Sequence, residues 1–167
     1  LGMGRIGRKI ASIAKSLGMT IHYHNRSKLS KDKEDGATFH KDLKSLLNVS
    51  DVLSVCCPAT KETTNLINKE TLEYLPPGAV VTNVARGDIV NDEALIEALN
   101  SRKVYAVGLD VYKGEPNLNP GYLKHKSAFI LPHLGSASKH TRTAMANLAI
   151  DNIDEFFKTG SSKNKVN

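Results

Sequence analysis

The sequence has no tryptophan, and aromatic residues make up only 5% of it. That scarcity, with basic residues scattered rather than striped, argues against a nucleic-acid recognition module. No apolar run approaches the roughly 18 residues that a membrane span requires. No basic stretch leads into an apolar one after Leu1, so no secretory signal is visible. There are two cysteines, and they are neighbours, Cys56 and Cys57, inside an apolar run. Adjacent strand residues point to opposite faces, so the pair reads as buried thiols of a reducing compartment rather than a disulfide. A cytoplasmic location is the expectation, with no membrane or nucleic-acid partner. Metal-ligand clusters are lacking too. His22 and His24 share one strand face as H-x-H, but no further ligands follow at zinc spacing. His40, His125 and His140 are expected on the surface.

What is present suits one globular domain. At 167 residues and 40% hydrophobic content, the chain can bury a core without disulfides or metals. Lys and Arg outnumber Asp and Glu by 23 to 17, a net charge of +6. This excess is either a solvated surface with a basic tail or a field that attracts anionic ligands.

Helical and strand patterns alternate along the chain. Ile6, Ile10, Ile13, Ala14 and Leu17 recur at helical spacing, and Gly18 follows as a stop. Residues 19–24 alternate as a half-buried strand does. Asp42 can cap a short helix carrying Leu43, Leu46 and Leu47. A strand over 51–57 ends at Pro58, and a helix over 68–75 ends at Pro76-Pro77-Gly78. Further strands are expected over 79–83, 104–111 and 128–131, with helices over 92–100 and 139–157. Strands alternating with helices imply an α/β fold, a doubly wound parallel sheet of Rossmann type. One domain is expected over residues 1–158, followed by a basic polar tail over 159–167. The strand that should lead into Gly2 is represented by Leu1 alone, so the sheet is expected to lack its first strand.

Gly2, Gly4 and Gly7 have the spacing G-x-G-x-x-G. The first glycine allows the tight turn, the second lets backbone approach a pyrophosphate, and the third lets the helix pack close. Arg5 and Ile6 lie on that turn, and the helix start offers free N–H groups to phosphate. The motif opens an amphipathic helix that is followed by a strand, which is the context that gives it weight. Beyond that strand, NAD-binding domains often carry an acid for the adenosine 2′-hydroxyl. This chain has Asn25-Arg26-Ser27-Lys28 instead. Arg26 can pair with a 2′-phosphate that a carboxylate would repel, which favours NADP, with NAD as the alternative. A plain polar turn is the competing reading.

Three later segments carry candidate chemistry: Thr82-Asn83-Val84-Ala85-Arg86-Gly87, Gly108-Leu109-Asp110-Val111-Tyr112-Lys113-Gly114-Glu115-Pro116, and Leu131-Pro132-His133-Leu134-Gly135-Ser136. Each follows a strand, and ligands of open parallel sheets bind outside the carboxyl ends of strands.

Together these segments resemble the D-isomer-specific 2-hydroxyacid dehydrogenases, over residues 1 to about 160, with a flavour of the glyoxylate/hydroxypyruvate reductase branch. The runs 83–92 and 108–116 are the most specific part of the match. The resemblance implies a catalytic set of Arg86, Glu115 and His133. Arg86 would clamp the substrate carboxylate, and His133 would give a proton to the carbonyl oxygen while the nicotinamide gives hydride to its carbon. Glu115 would pair with His133 and favour its charged form. The resemblance further implies that Cys57, Pro58 and Thr63 line the adenosine and ribose. Val84 and Ala85 would lie by the nicotinamide ribose, Asp110 at the carboxamide, and His133, Gly135 and Ser136 by the nicotinamide. It also implies a small 2-oxo or 2-hydroxy acid substrate and a homodimer through this domain, for which loops around Leu118 and Tyr122 offer apolar surface. The family's separate substrate domain has no counterpart here. The 167 residues alone are therefore expected to be inactive. A non-catalytic dinucleotide-binding module, or an inactive remnant, remains the alternative.

Overall fold

Isoleucines at helical spacing after a glycine turn form α1 (Arg5–Ser16), which Leu17 caps and Gly18, at φ 84, turns away. In the computed structural model, which describes residues 1–166, the order continues as β1 (His22–His24), α2 (Lys31–Glu34), β2 (Thr38–His40), α3 (Leu43–Leu47) and β3 (Val52–Val55). Then follow α4 (Lys69–Glu73), β4 (Ala79–Asn83), α5 (Asp92–Asn100), β5 (Val104–Leu109), β6 (Ala128–Ile130) and α6 (Lys139–Thr159). Short 3₁₀ turns cover Gly87–Ile89 and Pro120–Lys124. The helix starts are specified locally. Asp42, Asn68, Asn91 and Ser138 each accept a backbone N–H three residues on, which satisfies an orphan donor of the first turn.

The chain divides into two compact units, Leu1–Pro132 and a second that begins at His133. The first holds every strand. β3, β4, β5 and β6 pair in that order, all parallel, and β1 pairs with β2 in parallel. Leu53, Val55, Val81, Val104 and Val107 are buried in the larger sheet, and Leu72 of α4, Leu75 just after it, and Leu95 and Leu99 of α5 share its core. Leu95 is fully buried, so truncation to alanine should cost about 2–5 kcal/mol.

Between β1 and β3 runs an apolar slot of about 790 Å³, lined by Ile10, Ala14, Leu17, Ile21, Leu46 and Leu53, among others. Leu1 and Gly2 bridge its mouth. The Leu1 amino group donates to the Ser54 carbonyl (2.9 Å), Cys56 N–H donates to the Leu1 carbonyl (2.8 Å), and Gly2 N–H donates to the His24 carbonyl (3.0 Å). β1 and β3 do not pair with each other and belong to separate sheets. Ile13 and Leu17 of α1, which line this slot, are exposed.

The second unit contains α6, capped by Ser138 and ended by Gly160 at φ 74. Several of its apolar side chains are exposed, among them Met145, Leu148, Ile153 and Phe157.

Four expectations need correction. The strand expected over 19–24 is confined to His22–His24, because that is where β2 lies beside it. His40 is not a free surface residue, since its Nε2 meets His22 Nδ1 at 2.9 Å. Tyr122 offers no interface surface: it is 1% exposed, and its hydroxyl donates to the buried Asp92 (2.9 Å). The last helix is longer than the expected 139–157. The helix runs on to Thr159, and Lys163 N–H then donates back to Glu155 (2.9 Å).

Candidate functional site

The three glycines of the turn prove to have three different reasons. Gly2 sits at φ 88, and a Cβ there would run into the backbone of Cys56 and Cys57. A Cβ at Gly7 would strike the Gly2 carbonyl. Gly4 faces open space, so packing does not demand a glycine at that position. It is also the N-cap of α1, where no side chain caps the helix and no acid occupies the first turn. Open approach plus uncapped N–H groups suits an anionic group, as a pyrophosphate is. Arg5 and Ile6, both exposed, begin the helix at that point.

The loop after β1 leans on the same turn, because Met3 N–H donates to Asn25 Oδ1 (2.7 Å). Arg26 and Ser27 follow, both exposed, with no acidic residue between 25 and 29. After β3, Cys57 is buried and Cys56 half-buried, both as free thiols, and burial pushes the Cys57 thiol pKa up. Thr63 ties its loop together, donating to the Pro58 carbonyl (2.8 Å) and accepting from Thr60 N–H (2.8 Å).

Beyond the carboxyl end of β4 the chain is held by one buried side chain. Asn83 is 1% exposed. Its Oδ1 accepts from Ala85 N–H (3.0 Å), and its Nδ2 donates to the Arg86 carbonyl (2.9 Å). Its own carbonyl accepts from Asp110 N–H (3.0 Å), which ties the ends of β4 and β5 together. The Arg86 side chain is exposed and donates to the Ala85 carbonyl (2.5 Å). Val84 is exposed beside it, and Asp110 is buried. Glu115 lies in the loop beyond β5 and accepts from Tyr112 N–H (3.1 Å). Gly87 joins the two loops, since a Cβ there would overlap the Tyr112–Lys113 peptide. One edge of the first unit therefore carries Val84, Ala85, Arg86, Asp110 and Glu115.

His133, Gly135 and Ser136 open the second unit, all exposed. His133 has a left-handed backbone, φ 55, which is uncommon outside glycine and clusters at functional sites. Among the described residues, no group of three or more His, Cys, Asp or Glu could hold a metal. None of their helices is long and apolar enough to cross a membrane.

The sequence reading gave Asn83 and Gly87 no role. The signal was the polar residue closing an apolar strand and the glycine following Arg86; Gly87 meets a partner far along the chain, whereas the Asn83 side chain holds the backbone of Ala85 and Arg86 just after it.

Residues 1–135 match the NAD binding domain of the D-isomer specific 2-hydroxyacid dehydrogenases. The chain belongs to that family. It is 42% identical over 158 residues to a glycerate dehydrogenase of Hyphomicrobium methylovorum, covering 93% of this chain and 49% of that protein. It is 37% identical over 167 residues to a glyoxylate reductase of Thermococcus litoralis, covering 100% of this chain and 50% of the relative. Among solved structures, it resembles an NADPH-dependent glyoxylate/hydroxypyruvate reductase of Sinorhizobium meliloti in complex with NADP and malonate. That likeness has a TM-score of 0.93 at 37% identity, over 98% of this chain and 50% of the other. A glyoxylate reductase of Paecilomyes thermophila gives a TM-score of 0.94 at 39% identity, over 99% and 50%. The chain thus spans about half the length of the relatives it matches.

Proposed function

We propose that this chain is the cofactor-binding half of an NADPH-preferring reductase of small 2-oxo acids such as glyoxylate or hydroxypyruvate. The observation that carries the reading is Arg86, held by Asn83 beyond the end of β4 with its guanidinium exposed, in a chain of this family. A planar, permanently charged fork is suited to a carboxylate. Arg86 binds the substrate carboxylate and draws electrons from the neighbouring carbonyl.

The glycine turn and the loops after β1, β3 and β4 support the cofactor reading. Gly4 and the uncapped start of α1 take the pyrophosphate, and Arg26 and Ser27 take a 2′-phosphate. Val84 and Ala85 offer backbone to the nicotinamide ribose, and Asp110 accepts from the carboxamide. Cys57, Pro58 and Thr63 line the adenosine side. When bound, the nicotinamide supplies the hydride. His133 holds the proton that the carbonyl oxygen receives, and in the reverse direction takes it back. Glu115 belongs to this acid–base set through the family resemblance. We also propose a cytoplasmic homodimer formed through this domain.

The test is a screen of the full-length protein with glyoxylate, hydroxypyruvate, pyruvate and branched 2-oxo acids, with both cofactors. Reduction of at least one acid, faster with NADPH, is expected. Cofactor binding with no turnover on any of them would favour a non-catalytic dinucleotide module instead.

A further inference from the structure

The loop after β1 is pinned at both ends. At its start, Asn25 Oδ1 takes Met3 N–H. At its end, Leu29 N–H donates to the Tyr23 phenol oxygen (3.0 Å). Tyr23 is 1% exposed, and its own hydroxyl donates to Glu34 Oε1 (2.5 Å). Glu34 is the last residue of α2 and only 8% exposed. The same carboxylate oxygen lies 3.8 Å from Lys28 Nζ. Burying a carboxylate is costly unless it is paired and hydrogen-bonded, and Glu34 is both. Burial also pushes the Tyr23 phenol upward, so it remains a donor across the working pH range.

Between the two pins stand Arg26, Ser27 and Lys28, all exposed. They present a guanidinium, a hydroxyl and an ammonium in succession. That is a donor set for a doubly charged phosphate monoester, and it contains no acceptor-only group. A loop fixed before the ligand arrives loses less entropy on binding.

We propose that Tyr23 and Glu34 are positioning residues that hold this loop in shape for the 2′-phosphate of the cofactor, and that Lys28 is its second cation after Arg26. The inference rests on the reading that Arg26 takes the 2′-phosphate. Lys28 has two tasks. It screens the buried charge of Glu34 from the incoming phosphate, and it contributes its own charge to the site. NADH lacks the phosphate and gains nothing from either residue.

Calorimetric dissociation constants for NADPH and NADH test this, with Arg26→Ala as the reference variant. Lys28→Met changes an exposed side chain and leaves Glu34 its hydrogen bond from Tyr23. It should weaken NADPH about tenfold and leave NADH unchanged. Tyr23→Phe should show the same selectivity, because the loop loses its far pin. Glu34→Gln keeps an acceptor for Tyr23 and should retain the NADPH preference that Glu34→Ala loses. A Lys28 or Tyr23 variant with the wild-type NADPH-to-NADH ratio overturns the proposal, provided that Arg26→Ala lowers that ratio. If Arg26→Ala leaves the ratio unchanged, the cofactor reading falls and the brace falls with it.

Discussion

Gly87 lies against the backbone of Tyr112 so closely that a side chain at position 87 would overlap the Tyr112 carbonyl. Neither partner can yield cheaply, because both contacting groups are backbone. The residue before Gly87 is Arg86, and the loop after Tyr112 carries Glu115. Gly87→Ala should therefore push the two loops apart. Overpacking of this kind costs about 1–3 kcal/mol, so the melting temperature should fall by several degrees. Turnover should fall as well. A variant with unchanged melting temperature and turnover would show that the contact does not matter.

His133→Ala should reduce turnover by about 10²–10⁴, the usual contribution of a positioned acid–base group. NADPH affinity should change little. Steady-state kinetics with a parallel binding titration checks both statements.

Arg86→Ala should behave differently. It removes the group assigned to the substrate carboxylate, so KM should rise while turnover falls. A loss of turnover at unchanged KM would assign Arg86 a role in the transition state alone.

His40 gives the fold a pH dependence. Burial, and then the neighbouring charge of His22, hold its pKa below the ordinary histidine value. The contact between His22 and His40 also needs one ring N–H and one lone pair, which double protonation removes. The unfolded chain takes up the His40 proton near pH 6.5 and the folded chain only at lower pH. Stability from this group is therefore present above that value and lost as pH falls through the folded pKa. Melting temperatures across that window should decline less in His40→Gln than in the native chain. An equal decline would show that His40 is not the group responsible.

The parts of this fold that were legible in the sequence are those whose signals are local. The glycine spacing and four apolar positions specified α1, and Asp42 announced α3 three residues ahead of the N–H it accepts. α2 was illegible because Lys31, Asp32, Lys33 and Glu34 are all charged and trace no apolar face. β2 has only Thr38, Phe39 and His40, too few residues to show alternation. Arg86, Glu115 and His133 stand as candidates because their segments follow strands and resemble a family. Asn83 was missed because a polar residue at a strand end does not announce which backbone groups it will hold, and Gly87, Tyr23 and Glu34 because each meets a partner brought close by folding. Tyr122 was misread for the same reason: its loop looks apolar and exposed until Asp92 is placed beneath it.

The most direct test of the central claim is isotope transfer by the full-length protein. NADPH carrying deuterium on the transferable C4 position is mixed with glyoxylate or hydroxypyruvate, and the product is examined by mass spectrometry and proton NMR. The account predicts one deuterium at C2 of the resulting 2-hydroxy acid for each NADPH oxidised, with NADH reacting more slowly. NADPH that stays unoxidised with every 2-oxo acid tried, or NADH used equally well or better, would contradict it.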